Sequence, residues 1–151
     1  MRRILVTGMT GTGKSSVLAE LARLGHRVVD TDDPGWTEWS EEDDGYVWRE
    51  DRIESLLAEE GEGALFVSGC VSNQGRFYDR FDAVVLLSAP PGVLLRRIQD
   101  RTTNDYGKSD AERARVLADR ETFEPRLRAT CTHELDATRP LDEVVAALLE
   151  V

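Results

Sequence analysis

The sequence has few cysteines, few basic side chains and no long apolar run, and each shortage argues against a class of protein. The two cysteines in 151 residues, Cys70 and Cys131, lack the spacing of a metal site, so we expect reduced thiols without a catalytic role. The 19 basic side chains are outnumbered by 29 acidic ones, and this net charge of −10 argues against nucleic-acid binding, which needs a positive surface. No stretch approaches the roughly 18 apolar residues of a membrane span, and no secretory leader precedes the first apolar run. We therefore expect a cytoplasmic protein that binds neither nucleic acid nor membrane.

Short apolar runs alternate with helical patterns along the whole chain. The apolar runs predict five strands, at Ile4–Thr7, Arg27–Asp30, Ala64–Ser68, Ala83–Ser88 and His133–Asp136. Because these runs are apolar on both faces, they are typical of a parallel sheet covered by helices on both sides. The pattern predicts one domain over residues 1–151, with a three-layer α/β/α architecture and a five-stranded parallel sheet.

Helical periodicity fills most of the intervals between these runs. Two stripes are clear, one in the first helix at Val17, Leu21 and Leu24, and one in the last helix at Leu141, Val144, Val145, Leu148 and Leu149. After the second strand, the sequence predicts an acidic, aromatic loop and then a helix over residues 46–60. The acidic run 41–44 is expected to lie in solvent.

Three glycines stand between the first strand and the first helix, in the string "GMTGTGKS". The string matches the Walker A pattern, and its context of strand before and helix after also fits. Glycines allow backbone N–H groups to curve around a phosphate, and the helix N-terminus adds further donors. Lys14 is expected to hold the β- and γ-phosphates of a nucleotide, and Ser15 to ligate Mg²⁺. The other predicted nucleotide contacts are Gly8, Gly11, Thr12, Gly13 and Ser16.

Two carboxylates follow the second strand in "VVDTDD". Asp30 and Asp32 are expected to face the phosphate side of the loop and the substrate, where one would hold a Mg²⁺-bound water and the other would accept a proton from an attacking hydroxyl. An alternative is an Asx-turn that only leads the chain out of the strand.

These segments resemble the small P-loop kinases of the nucleoside monophosphate kinase fold, among them shikimate kinase, gluconate kinase and nucleotide kinases. The resemblance is carried by "GMTGTGKS", by "DTD", by "LLRRIQDR" with a lid-like segment after it at about residues 102–110, and by "DATRPLDEVVAALL". It implies a P-loop NTPase fold with a short lid, ATP and Mg²⁺ as cofactors, and phosphoryl transfer to a small-molecule acceptor.

The resemblance also implies roles for particular residues. Asp32 matches the second carboxylate of the D-x-D pair beside the acceptor and is the preferred base. Arg97 and Arg101 resemble lid arginines that close on the phosphates. Arg139 and Pro140 resemble the loop beside the adenine.

The acceptor side departs from shikimate kinase. That family has a Gly-Gly-Gly loop after its third strand, whereas this chain has "SGCVSNQG", which contains Gly69. A nucleoside monophosphate would need arginines opposite its phosphate, and Arg49, Arg52 and Arg76 are available. Arg128, on the helix beyond the lid, is expected to reach the substrate from the other side.

Three tryptophans, Trp36, Trp39 and Trp48, lie in or just after the acidic loop. They either form a wall for a flat or sugar-like acceptor or pack the loop onto the domain.

The sequence therefore predicts a kinase that transfers the γ-phosphate of Mg·ATP to a small acceptor, either a nucleoside or nucleotide or a shikimate- or gluconate-like hydroxyl compound. An alternative is a nucleotide-binding ATPase or regulatory protein that acts through a protein partner. A GTPase is disfavoured because Gly107 stands where the guanine-reading element requires asparagine. The sequence leaves the acceptor and the oligomeric state open.

Overall fold

The computed structural model describes residues 1–151 and contains seven strands, five α-helices and one 3-10 helix. The strands are β1 (Arg2–Thr7), β2 (Arg27–Asp30), β3 (Thr37–Ser40), β4 (Gly45–Trp48), β5 (Ala64–Ser68), β6 (Ala83–Ser88) and β7 (His133–Asp136). The helices are α1 (Lys14–Arg23), α2 (Glu50–Leu57), α3 (Pro91–Asp100), α4 (Asp110–Thr130) and α5 (Leu141–Glu150), and the 3-10 helix is Gln74–Arg80. None of the helices has the length and apolar character that crossing a membrane would require.

Five of the strands form one parallel sheet in the order β2-β5-β1-β6-β7, which confirms the predicted architecture. The three central strands, β5, β1 and β6, are almost wholly buried because they are apolar on both faces. The chain crosses to one side of β1 through β2 and β5, and to the other side through β6 and β7. Ligands of such sheets bind at this reversal, beyond the carboxyl ends of the strands.

A separate core lies on each face of the sheet. One core of 16 buried residues joins the sheet to α1, α3 and α5, with Leu21, Leu94 and Leu148 at its centre. The other core, of 11 buried residues, joins the sheet to α2 and the 3-10 helix and contains Ile53 and Trp48. Since burying one such side chain contributes about 1.5–3 kcal/mol, the two cores together fix where the strand ends lie.

The predicted apolar stripes of the first and last helices are shorter than expected. Leu24 is 47% exposed because it caps α1 beyond the last buried turn. Leu141 and Leu149, in the first and last turns of α5, are 42% and 43% exposed, so only the middle of that stripe packs on the core.

The largest difference from the prediction lies between β2 and α2. The predicted loop is instead an antiparallel hairpin of β3 and β4, and α2 begins at Glu50 rather than at Tyr46. The aromatic and β-branched residues on both sides of the acidic run pair across the hairpin, with Trp39 opposite Tyr46. The acidic run 41–44 forms the exposed turn, as expected.

The side chain of Asn73 fastens the base of this hairpin. Its Oδ1 accepts a hydrogen bond from the Trp48 backbone N–H at 2.9 Å, and its Nδ2 donates to the Trp48 carbonyl at 3.0 Å. The Trp48 indole N–H donates to Thr31 Oγ1 at 2.9 Å, and Thr31 donates in turn to the Ser68 carbonyl at 2.7 Å. The hairpin is therefore anchored at the carboxyl ends of β2 and β5.

Candidate active site

The loop between β1 and α1 has a backbone that only glycine adopts easily. Gly8, Gly11 and Gly13 have φ values of 152°, 88° and 93°. A Cβ atom on Gly8 would lie 2.5 Å from the Leu87 carbonyl oxygen, and one on Gly11 would lie 2.9 Å from the Leu94 carbonyl oxygen. The loop is therefore a cradle of bare backbone, seated closely on β6 and α3, that fits the phosphates of a nucleotide.

Lys14 folds back over this loop. Its Nζ donates to the carbonyl oxygens of Gly8 at 2.6 Å and Met9 at 3.1 Å. Burial lowers the pKa of Lys14 below its ordinary value, while Cys70 and the two carboxylates Asp32 and Asp30 act in the opposite direction. The ammonium group thus stands inside the cradle, partly removed from water, where its attraction for a phosphate is strongest.

Ser15 and Asp30, the two predicted magnesium ligands, are in contact. Ser15 Oγ donates to Asp30 Oδ2 at 2.8 Å, so the end of β2 meets the first turn of α1. No cluster of three or more metal-ligating side chains exists in the protein. A hydroxyl and one carboxylate suit Mg²⁺, which usually keeps several waters and is bound jointly by one or two protein oxygens and substrate phosphates.

Asp30 also forms the Asx-turn that the sequence left as an alternative. Its Oδ1 accepts a hydrogen bond from the Asp32 backbone N–H at 3.0 Å. Asp32 lines the cavity described below, so the turn formed by Asp30 helps to place the Asp32 side chain there.

Asp32 has an altered acidity. Partial desolvation by the surrounding protein raises its pKa, and the neighbouring Asp30 carboxylate raises it further, while Lys14 opposes the shift. A carboxylate with a raised pKa binds a proton more readily, and this suits a general base.

One cavity of about 610 Å³ joins the glycine loop to Asp32 and to the arginines Arg97, Arg101 and Arg139. Arg97 bridges two of its walls, because it donates to the carbonyl oxygens of Thr12 at 3.3 Å and Ala137 at 2.5 Å. Pro140 does not line the cavity, but it is the N-cap of α5, next to Arg139.

The predicted lid segment, residues 102–110, is held by Arg101. This side chain donates to the carbonyl oxygens of Asn104 at 3.0 Å and Tyr106 at 2.6 Å, and Lys108 donates to the Arg101 carbonyl at 2.7 Å. Gly107 is buried against Ile98 of α3, so the far end of the segment is anchored.

Sequence reasoning missed several residues of the cavity. Asp100, Thr103 and Asn104 line it from the end of α3 and the lid segment, and Ala137 lines it from the turn after β7. The signal was available for the first three, because they surround Arg101 in the sequence. Nothing in the sequence marks Ala137, since a small residue after a strand is common.

The predicted substrate residues Arg49 and Gly69 lie outside this cavity. Arg49 pairs with Asp51 at 3.5 Å. Gly69 packs behind the acceptor side, where a Cβ atom would lie 2.4 Å from Thr31 Oγ1 and 3.0 Å from Trp48 Nε1.

Arg52 lies in a separate groove of about 430 Å³ between α2 and β2. Its guanidinium stacks over Trp36, 4.4 Å from the ring centroid, and donates to the Gly35 carbonyl at 2.9 Å. Trp36 and Trp48 therefore pack against the domain, whereas Trp39 is 54% exposed.

Arg128 also lies outside the cavity. It forms ion pairs with Glu134 at 2.8 Å and with the buried Glu124 at 2.9 Å, and these two carboxylates raise its pKa. Arg76 pairs with Glu50 at 3.0 Å. The structure thus brings together the glycine loop, Asp30, Asp32, Arg97, Arg101 and Arg139, and leaves Arg49, Arg52, Gly69 and Arg128 elsewhere.

Comparisons with known proteins identify a family and a fold. A family model described as "AAA domain" matches residues 4–118. A shikimate kinase from Acinetobacter baumannii in complex with shikimate has 17% identity, with 99% of this chain and 92% of that chain covered and a TM-score of 0.69. No curated protein matches the chain.

Two further solved structures have the same fold. A gluconokinase from Sinorhizobium meliloti 1021 has 23% identity and a TM-score of 0.68, with 99% of this chain and 90% of that chain covered. A deoxyadenosine kinase from M.mycoides with bound dATP has 15% identity and a TM-score of 0.63, with 99% and 98% covered. At these identities the likeness shows the fold, which is that of P-loop kinases.

Proposed function

This chain belongs to the AAA domain family, and we propose that it is a kinase that transfers the γ-phosphate of Mg·ATP to a hydroxyl group of a small molecule. The observation that carries this proposal is one cavity that joins the Walker A loop to Asp32, to Arg97 of α3 and to Arg101 at the C-cap of that helix. A protein that only binds a nucleotide needs the loop, but it does not need a carboxylate of raised pKa beside it.

The glycine loop matches the Walker A pattern, and its close packing on β6 and α3 holds it at the N-terminus of α1, where a nucleoside triphosphate would bind. Backbone N–H groups and Lys14 would hold the phosphates, and Ser15 and Asp30 would hold Mg²⁺. Bound Mg²⁺ would neutralise phosphate charge during the transfer.

The transfer is balanced by four changes. The acceptor hydroxyl loses its proton to the Asp32 carboxylate, and its oxygen forms a bond to the γ-phosphorus. The bond between the γ-phosphorus and the β–γ bridging oxygen breaks, and ADP leaves. Arg97 and Arg101 would match the charge on the transferring phosphoryl oxygens, since a guanidinium is planar and always charged.

The remaining work of the protein is to position groups and to exclude water. Arg97 is preset by its two carbonyl contacts, and Arg101 is preset by its contacts with the lid. Such positioning supplies much of the rate in phosphoryl transfer, because little covalent chemistry is left for the protein to do.

Lys14→Ala tests the proposal. We expect ATP binding, measured by titration calorimetry, to be lost together with acceptor-dependent ADP release. Arg23→Ala is the matched control, because Arg23 lies on the same helix and its only partner is the i−3 residue Glu20. Equal activity of the two variants would contradict the Walker A assignment.

An assay of ADP release with and without acceptors separates the two functions that the sequence allows. Release that depends on an acceptor and yields a phosphorylated product supports the kinase. Hydrolysis at the same rate without any acceptor would instead support an ATPase or a regulatory protein.

A further inference from the structure

The three arginines that the sequence offers for an anionic acceptor, Arg49, Arg52 and Arg76, do not line the cavity. An anionic acceptor would be recognised by guanidinium groups beyond Asp32, but the three arginines of that region are already engaged. Arg49 and Arg76 form ion pairs with carboxylates, and Arg52 stacks on a tryptophan in a different groove. An acid or a phosphate ester that used these arginines would compete with their present partners.

The surrounding segment is strongly negative instead. Residues 30–52 contain 10 acidic and 2 basic side chains, a local net charge of −8 out of the −10 of the whole chain. A field of this sign repels anions and concentrates cations.

The hairpin of this acidic segment carries an aromatic pair. Trp39 and Tyr46 lie opposite each other, and their rings meet edge to face at 5.3 Å between centroids. They are 54% and 65% exposed. Two such side chains left open to solvent on one small surface are typical of a binding surface rather than of a packed core.

Strand alternation indicates which way this pair faces. Tyr46 precedes Trp48 by two residues, so both side chains leave the hairpin on the same face. That face meets the carboxyl ends of β2 and β5, because the Trp48 indole bonds to Thr31 and packs against Gly69. The aromatic pair therefore lies outside the cavity itself, on the face of the hairpin that meets the strand ends, where Thr31 immediately precedes Asp32 in the chain.

We propose that the acceptor is a ring-shaped hydroxyl compound that carries a basic nitrogen and no acidic group, and that Trp39 and Tyr46 bind it. This inference rests on the proposed function and specifies its substrate class. Aromatic faces attract ammonium groups, and the carboxylates around the pair add to that attraction. The ring hydroxyl then lies towards Asp32, which removes its proton.

Matched compounds that differ mainly in charge test the inference. One set is the six-membered carbocycles myo-inositol, 2-deoxystreptamine and quinate, which are neutral, cationic and anionic. A second set is glucose, glucosamine and glucuronate. Binding is measured by calorimetry in the presence of a non-hydrolysable ATP analogue, and phosphorylation is measured by ADP release and product mass. We expect the amine of each set to bind at least about tenfold more tightly than the acid.

Variants of the aromatic pair provide the structural control. Trp39→Ala and Tyr46→Ala should raise KM for the amine about tenfold and leave kcat unchanged, with only a small loss of thermal stability, because both side chains are exposed but pack edge to face across the hairpin. Trp39→Phe should restore most of the affinity. Leu24→Ala is the matched control, since it removes an exposed apolar side chain far along the chain from the hairpin, and it should change neither constant.

The outcomes distinguish a failure of the proposed acceptor class from a failure of the proposed kinase activity. Tighter binding of an acid, equal binding within a set, binding of none of the six compounds, or amine binding that survives Trp39→Ala would overturn the inference. Preferred phosphorylation of an acid would overturn it and leave the kinase proposal standing. Amine binding without any phosphorylated product, accompanied by steady ATP hydrolysis, would instead contradict the kinase proposal.

Discussion

The contact between the glycine loop and α3 can be tested by a pair of alanine substitutions at Gly11 and Gly25. The two glycines have almost the same backbone conformation, with φ values of 88° and 95°. They differ in their surroundings. A Cβ atom on Gly11 would lie 2.9 Å from the Leu94 carbonyl oxygen and 3.2 Å from the Ile98 side chain, whereas a Cβ atom on Gly25 would meet nothing within 4 Å.

The expected losses of stability follow from this difference. Alanine in a left-handed conformation costs about 1–2 kcal/mol, and this penalty applies equally to Gly11→Ala and Gly25→Ala. Gly11→Ala adds an overpacking cost of about 1–3 kcal/mol, because Leu94 contributes a backbone atom that cannot move aside as a flexible side chain would. We therefore expect its free energy of unfolding to lie about 1–3 kcal/mol below that of Gly25→Ala.

Urea denaturation measures the difference. With a slope of about 2 kcal/mol per molar, the unfolding midpoints of the two variants should be ~1 M apart. Gly25→Ala should keep the ATP affinity of the wild type, whereas Gly11→Ala should lower turnover about 100-fold, since the loop must move away from α3. Equal midpoints for Gly11→Ala and Gly25→Ala would refute the reasoning that the loop is held by close contact with this helix.

Two further predictions concern ionised groups. Partial burial and then Asp30 raise the pKa of Asp32. We therefore expect kcat/KM to fall as the pH drops through a value above the ordinary range of aspartate. Asp32→Asn should keep ATP affinity and lose phosphoryl transfer. The same raised pKa means that Asp32 stabilises the folded state only at acidic pH. This contribution is lost as the pH rises through the raised pKa. At neutral pH, urea denaturation should therefore show Asp32→Asn to be no less stable than the wild type. Arg128→Ala should lower the free energy of unfolding by about 1–3 kcal/mol, because it weakens the pairing of the buried Glu124 and of Glu134, and should leave acceptor KM unchanged. A raised KM with unchanged stability would instead make Arg128 the substrate residue that the sequence predicts.

The placement of the glycine loop, Lys14 and Ser15 could be predicted from the sequence because these residues are close together in the chain. Lys14 and Ser15 lie in one eight-residue motif whose backbone needs glycine, so spacing alone indicates their geometry. Asp30 and Asp32 follow a strand, and parallel strands bring their carboxyl ends to one edge. The five-stranded sheet was predictable for the same reason, because each of its strands is a distinct apolar run.

The acceptor end is harder to predict because its contacts are distant in sequence. The β3–β4 hairpin depends on Asn73, which lies 25 residues after Trp48 and leaves no local signal of the contact. The role of an arginine is equally hidden. Nothing around Arg128 in the sequence shows that Glu134 and a buried glutamate would engage it. Ion pairs between distant segments form only in the folded protein. The sequence around an arginine therefore looks the same whether its side chain binds a ligand or pairs with a carboxylate of the protein.

The manner in which the hairpin is fastened has a consequence for how such a protein diversifies. The hydrogen bonds that fasten the hairpin to the domain are all at Trp48, whose main chain and indole bond to Asn73 and Thr31, and the buried Val47 lies next to it. The outer half of the hairpin is held by its own strand pairing. Exchanging residues 38–46 should therefore leave the folded framework intact and alter only which molecules are accepted. Substitutions in this segment, whether natural or engineered, should therefore change which acceptor is bound without changing the residues that perform the phosphoryl transfer.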